Sequence, residues 1–248
     1  MHPHPFIQNN ESNRIQGFCI NLESFRMNSS TVSARSAFPA QPIRLYRAAI
    51  SGHCHRVELF LAMLGLPFEL VDIDLVSKGH KTADFLAMNP FGQVPVIADA
   101  DILLADSNAI LVYLAGRYAH QPDVWLPRDP LAAARVQRWL SVAAGPLAFG
   151  PAAARVTELF KRPPNPEAIE RSQALFAVME QALASTAFLA GDTPTLADIA
   201  NYSYVARAPE GRVSLAPFPH LRAWLARIEA LPRFVPMVQS PVGLSAPA

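Results

Sequence analysis

The chain is poor in cysteine: its 248 residues hold two, Cys19 and Cys54. Two thiols give no disulfide framework, so a reducing, cytoplasmic setting is the default reading. Charge is also scarce. Only 17% of the residues are charged and the formal net charge is +1, which leaves no basic stripe for nucleic acid. No apolar run approaches the roughly 18–20 residues of a membrane helix. Metal chemistry lacks its ligand pattern as well. His53-Cys54-His55 gathers suitable atoms, but adjacent residues on a helix point in different directions and cannot converge on one ion. What remains is a globular chain, 51% hydrophobic, long enough for one or two domains with substantial cores.

Residues 1–41 read differently from the rest. Ser, Asn and Arg are frequent there, and neither a period of 2 nor one of 3.6 persists. The stretch Gly17–Ile20 is too short for a signal-peptide core. Ser24 to Gln41 carries serines and two arginines without an acid, faintly like a transit peptide. We read the segment instead as a disordered tail or an upstream start, with Met27 the more natural first residue.

Structure is expected from Pro42. Ile43–Arg47 alternates like a strand, and a short loop, Ala48–Gly52, leads into a helix to Leu64 with Val57, Phe60, Leu61 and Leu64 at core spacing. Gly65-Leu66-Pro67 ends it. Phe68–Ile73 is a second strand, and strand-helix-strand at this length implies a parallel pair with a right-handed crossover. After a polar loop at Lys78–Lys81 come a short helix at Ala83–Met88, strands at Gln93–Ile97 and Ile102–Ala105, and a helix from Ser107 to Tyr118 capped by Asp106. The order is that of a compact α/β layer domain, 42–120.

Beyond a linker at 121–128 the second half, 129–236, is expected to be all-helical, with 237–248 as a tail. An alanine-rich helix runs from Leu131 to Leu159 and should be kinked or divided at Pro146 and Gly150-Pro151. A further helix spans Glu167 to Ala187. Thr195-Leu196-Ala197-Asp198 opens the next as a capping box with Asp in place of the usual Glu. Pro219–Leu231 is a last amphipathic helix.

The stretch Asn89–Ala98 organises the first half. Pro90 forces Asn89 out of the helical region and Gly92 permits a tight turn. Pro95 cannot donate a ladder hydrogen bond, so Val94 keeps backbone groups that an added extended peptide could pair with. The stretch alone leaves the Val94-Pro95 bond open between cis and trans.

Taken together, these residues resemble the soluble glutathione transferases over roughly residues 43 to 236. The resemblance is carried by Leu45-Tyr46, Ser51, Arg56-Val57, Leu61, Gly65, Val71-Asp72, Gly79-His80-Lys81, Phe85-Leu86, Asn89 through Pro95 and Asp106-Ser107, in the order and spacing of the phi-like and related bacterial serine-type members. In the second half, Leu189–Asp192 with Thr195–Asp198 resembles the family's buried capping box. The resemblance implies a thioredoxin-like N-terminal domain, an all-helical C-terminal domain, a cis bond at Pro95, a homodimer, and glutathione as co-substrate without a metal.

It also implies roles. Ser51, just before a helix, would donate to the glutathione sulfur while the helix dipole favours the thiolate. Read alone, Ser51 is a plain N-cap. His80 and Lys81 would grip the glycyl carboxylate, Val94 and Gln93 the cysteinyl unit, and Asp106 and Ser107 the amine and carboxylate of the γ-glutamyl end. This chain has Asp106-Ser107-Asn108 where the family often has Glu-Ser-Arg or Glu-Ser-Ala. A hydrophobic electrophile or a peroxide would bind against Ile50, Phe149, Ala153 and Tyr202. Two alternatives stand beside the transferase: a thiol transferase using Cys54 as nucleophile, and a non-catalytic module of the same fold.

Overall fold

The computed structural model describes residues 38–240. Residues 1–37, nearly all of the expected N-terminal extension, and 241–248 lie outside that range. Among the described residues the first half holds β1 (Ile43–Arg47), α1 (Gly52–Leu64), β2 (Phe68–Asp72), α2 (Ala83–Met88), β3 (Val96–Asp99), β4 (Ile102–Ala105) and α3 (Ser107–Tyr118). The second half holds α4 (Pro122–Trp125), α5 (Pro130–Ala144), α6 (Ala153–Leu159), α7 (Pro166–Leu183), α8 (Leu196–Ala206) and α9 (Pro219–Glu229).

The sheet order is β2-β1-β3-β4, with β1 parallel to β2 and antiparallel to β3. β3 starts later than the alternation suggested. Val96, opposite Tyr46, is its first paired residue, because the proline before it has no N–H for the ladder. The Val94-Pro95 bond is cis. α1 ends where Gly65 takes the left-handed conformation (φ 67°) and its N–H returns to Ala62 and Leu61. A side chain there would also strike the Arg233 guanidinium.

α1 is buried on more than its apolar face, because both α3 and α8 pack on it. Val57, Phe60 and Leu61 enter the core, and so do His55 and Arg56. The alanine-rich stretch of the second half divides near the expected breakers. α5 stops at Ala144, a π-type turn follows over Ala148–Ala152 around Pro151, and α6 begins at Ala153. α8 is buried along nearly its whole length, as expected of a central helix.

Asp198 ties this half together. Its fully buried carboxylate accepts from Leu189 N (2.9 Å), Thr195 N (2.9 Å), the Thr195 hydroxyl (3.2 Å) and Trp224 Nε1 (2.8 Å). It thus fastens the loop before α8 and the face of α9 to one point.

Residues 234–240 are tied down by hydrogen bonds. Val235 O accepts from His55 Nε2 at 2.9 Å, Met237 O accepts from Arg207, and Ser240 donates to Glu210 through both N (3.2 Å) and Oγ (2.8 Å). The segment has no periodicity because backbone groups rather than an apolar face carry much of its packing.

Asp198→Ala strands four buried donors, and its denaturation midpoint should report a loss of at least about 3 kcal/mol. His55 donates from Nε2 to a carbonyl and accepts at Nδ1 from Ser203 (2.8 Å), which fixes the neutral tautomer. Burial, chiefly, lowers its pKa from 6.5 to about 4. The unfolded chain therefore takes up a proton in that window before the folded chain can, so stability falls as pH falls. His55 should account for about 2 kcal/mol of that loss at roughly pH 5. Urea midpoints of His55→Gln should show a flatter pH dependence than the native chain.

Candidate active site

A cavity of about 800 Å³ opens between the first turns of α1 and α3 and the loop that leads into β3. Its lining includes His80, Lys81, Gln93, Val94, Pro95, Asp106 and Ser107. Three separate stretches of sequence bring these residues to one wall.

Asn89 shapes the first part of that wall. Its buried amide donates to Gln93 O (2.8 Å) and accepts from Phe91 N (3.1 Å), and Gly92 N returns to Asn89 O (2.8 Å). Gly92 sits at φ 57°, and a Cβ there would fall 2.7 Å from Lys81 Nζ. Lys81 donates to Phe91 O (3.2 Å) and Gly92 O (2.9 Å). His80 lies on a single 3-10 turn, Gly79–Lys81, and its Nδ1 is buried without a hydrogen-bond partner among the described residues.

The far end of the cavity brings the start of α3 and a buried cation together. Asp106 holds φ 70° and ψ 119°, a costly conformation for a non-glycine residue and of the kind that clusters at functional sites. Its Oδ1 caps α3 by accepting from Asn108 N and Ala109 N, both at 2.9 Å. Ser107 is buried behind it. Arg56 is fully buried and donates from Nη1 to Asn108 Oδ1 (2.9 Å) and to the Ser107 hydroxyl (3.3 Å), while its Nε and Nη2 have no partner among the described residues. Burial lowers its pKa to about 10, so it remains a cation at neutral pH. Its charge adds to the positive end of α3 at the same spot. The sequence reading quoted Arg56 only as part of a pattern. Its role depends on a long-range meeting of α1 with α3.

Ser51 is the N-cap of α1 and its hydroxyl accepts from Cys54 N at 3.4 Å. It is half-buried, and the Tyr204 ring packs closely over the adjoining Gly52. It lies beside the large cavity rather than in its wall. His53 does reach the wall, with Nδ1 3.5 Å from the Ser107 hydroxyl, and its ring meets Tyr204 edge-on at 5.0 Å. Burial first, and Arg56 second, lower its pKa to about 3, so the imidazole is neutral. Sequence reasoning considered His53 only as a metal ligand and passed over its access to the cavity.

Cys54 is buried and its sulfur accepts from Ala48 N at 3.4 Å. Burial pushes the thiol up to about 11, against smaller opposing contributions from Ser51 and Ala48. The geometry offers no thiolate there near neutral pH.

A second cavity, about 450 Å³, shares His53 with the first and is lined by Ala148, Ala152, Ala153, Val156 and Tyr204 among others. Of the four residues expected to form an electrophile pocket, Ala153 lines this space and Ile50 lines a smaller neighbour beside Phe160. The other two lie elsewhere. Phe149 is 61% exposed, because it sits within the π-type turn, whose extra residue rotates it outward. Tyr202 points into the helical core and donates to Glu229 at 2.8 Å. Two residues along a helix turn the side chain by about 200°, so Tyr204 takes the cavity position. Among the described residues no cluster of three or more His, Cys, Asp or Glu could hold a metal, and no helix is long and apolar enough to cross a membrane.

Comparison with known proteins agrees with this architecture. Residues 41–116 match the family model described as "Glutathione S-transferase, N-terminal domain", and residues 149–232 match its C-terminal counterpart. "Glutathione S-transferase 3" of Zea mays is 37% identical over 213 residues, covering 78% of this chain and 91% of its own. "Glutathione S-transferase theta-2" of Homo sapiens is 34% identical over 198 residues, 76% of this chain and 81% of its own. The crystal structure of a glutathione S-transferase from Pseudomonas fluorescens Pf-5 superposes with a TM-score of 0.75 at 32% identity, covering 80% of this chain and all of that one. With a thioredoxin-like first half, a helical second half and matches across both, the chain belongs to the glutathione S-transferase family.

Proposed function

We propose that the protein transfers glutathione to a small hydrophobic electrophile or a peroxide. The observation that carries this reading is the single cavity that gathers His80, Lys81, Gln93, Val94, Pro95, Asp106 and Ser107 next to the N-terminus of α1. Glutathione supplies a thiol whose pKa is near 8.5 when free, and only its anion attacks well. The Ser51 hydroxyl donates to that sulfur, and the open amides at the start of α1 add a positive potential.

At one end of the cavity His80 and Lys81 meet the glycyl carboxylate, with Lys81 leaving the two carbonyls it now contacts. Val94 pairs its backbone with the cysteinyl unit and Gln93 adds a side-chain contact. At the other end Asp106 takes the γ-glutamyl amine. Ser107 and the first amides of α3 take its carboxylate, with Arg56 supplying charge from behind. The electrophile lies over the apolar side chains of Ala152, Ala153 and Val156, where His53 borders both cavities. The same proposal makes the protein a cytoplasmic homodimer. Exposed Phe91, Ile102 and Leu103 on the first half support an assembled state.

Ser51→Ala should lower turnover of a standard chromogenic electrophile by about 10²-fold, the scale of one lost site donor. Full activity in that variant, or retention on immobilised glutathione without turnover of any electrophile, overturns the proposal. Cys54→Ala should keep near-native rates, because a buried thiol held near 11 contributes no nucleophile. Loss of activity on that change, together with disulfide reduction by the native protein, would reinstate the thiol-transfer reading.

A further inference from the structure

We propose that the electrophile carries an acidic group at the end away from its reacting carbon, and that Arg162 is the side chain that selects it. The proposal rests on the transferase reading and names the class of substrate that reading leaves open.

The electrophile cavity of about 450 Å³ has two kinds of wall. Ala148, Ala152, Ala153 and Val156 supply short apolar side chains, whereas Thr157, Arg162 and Asn165 supply polar ones. Since His53 is neutral, Arg162 is the one charged side chain in that lining. The same three polar residues also line a further cavity of about 490 Å³, built from the end of α6, the start of α7 and the Gly211-Arg212 turn. The electrophile cavity thus shares His53 with the glutathione cavity and Arg162 with this outer one.

Charge in the outer cavity is unbalanced. Lys161, Arg162 and Arg212 stand there against one carboxylate, Glu158, and Arg212 Nε already takes that carboxylate at 2.9 Å. Neither Lys161 nor Arg162 has an ion-pair partner among the described residues. The Arg162 guanidinium lies 5.7 Å over the Phe160 ring, a contact that holds a cation without neutralising it. α7 begins at the same place. Asn165 caps it by accepting from Ala168 N at 3.1 Å, which leaves the amide nitrogen of Asn165 as a donor. The acid in the first turn of α7, Glu167, is paired with Arg171, and the positive end of this 18-residue helix adds to the local potential.

Local backbone fixes where Arg162 stands. Lys161 takes the left-handed conformation (φ 49°), and Arg162 N returns to Thr157 O at 2.9 Å to close α6. Glycine would adopt that conformation at less cost. The chain instead sets two cations there in succession.

A substrate that fits has an apolar body and an anion. Its body covers the alanines and Val156, its reacting carbon lies toward His53 and the sulfur, and its acid meets Arg162, whose planar fork suits a carboxylate. In addition to an enone, the sulfur–carbon bond forms at the β-carbon and the enolate takes its proton from water, so no further reactant is required.

The test uses α,β-unsaturated ketones that end in a carboxylate, each beside its methyl ester, with the spacer lengthened one methylene at a time. The readout is the ratio of kcat/KM for acid and ester within one preparation, which does not depend on how much of the protein is folded. At the best spacer, Arg162→Gln should lower this ratio about fivefold, the scale of one exposed ion pair. Arg162→Lys should fall between that variant and the native chain, and Arg162→Glu should lower the ratio further. Added salt should bring the native ratio down toward that of Arg162→Gln. Arg222→Gln removes an exposed cation of α9 outside these cavities and should keep the native ratio.

A ratio unchanged in Arg162→Gln, or lowered as far in Arg222→Gln, overturns the role of Arg162 and leaves the transferase reading standing on turnover of the esters. Turnover of a standard chromogenic electrophile but of no enone likewise overturns this inference alone. If glutathione is transferred to none of these compounds, the transferase reading fails and this inference with it.

Discussion

The first turn of α1 is seated against α8, and most of the molecule serves that contact. Gly52 lies under the Tyr204 ring, His55 bonds Ser203, and Arg155 grips the carbonyl of Ile50. A helix N-terminus has unsatisfied amides and a positive potential whether or not anything is near it. It becomes a site when those groups are held at a fixed angle to a cavity. Here the cavity belongs to the thioredoxin-like half and the support comes from the helical half, so neither half builds the site alone.

Buried polar groups are the means of support. Asp198, Arg56, Arg155 and Glu210 are all removed from solvent, which is expensive unless each is satisfied by good partners. Asp198 has four donors and Glu210 is held by Arg155 and Ser240. Arg56 and Arg155 are only partly satisfied: Nε and Nη2 of the first and Nη2 of the second have no partner among the described residues. Arg56 lies behind the cavity end, where an anionic ligand would add favourable charge.

Local chemistry carried much of the fold into the sequence. Gly65 stops α1, Pro90 and Gly92 set the turn, and Thr195 with Asp198 opens α8. These signals act over a few residues and can be read without knowing their neighbours in space. The divided alanine-rich stretch was visible in Pro146, Gly150 and Pro151 for the same reason. The form of the break, a π-type turn that swings Phe149 into solvent, was not, since the extra residue in a turn depends on packing rather than composition. The packing of residues 234–240 has no sequence signature because its bonds are made largely through backbone groups.

The sequence by itself determined which residue types stand at which local geometry: a serine capping a helix, a proline ahead of a strand, an aspartate and a serine opening α3. Those assignments come from steric limits and from hydrogen bonds a few residues long. Tertiary structure alone decided which of them face one another. It put Tyr204 rather than Tyr202 against Gly52, buried Cys54 so that it stays a thiol near neutral pH, set Arg56 behind Ser107, and gave His53 a share in two cavities. The reason is physical: desolvation and the pairing of distant charges depend on what surrounds a group in space, and residues as far as 148 positions apart in the chain supply those surroundings here.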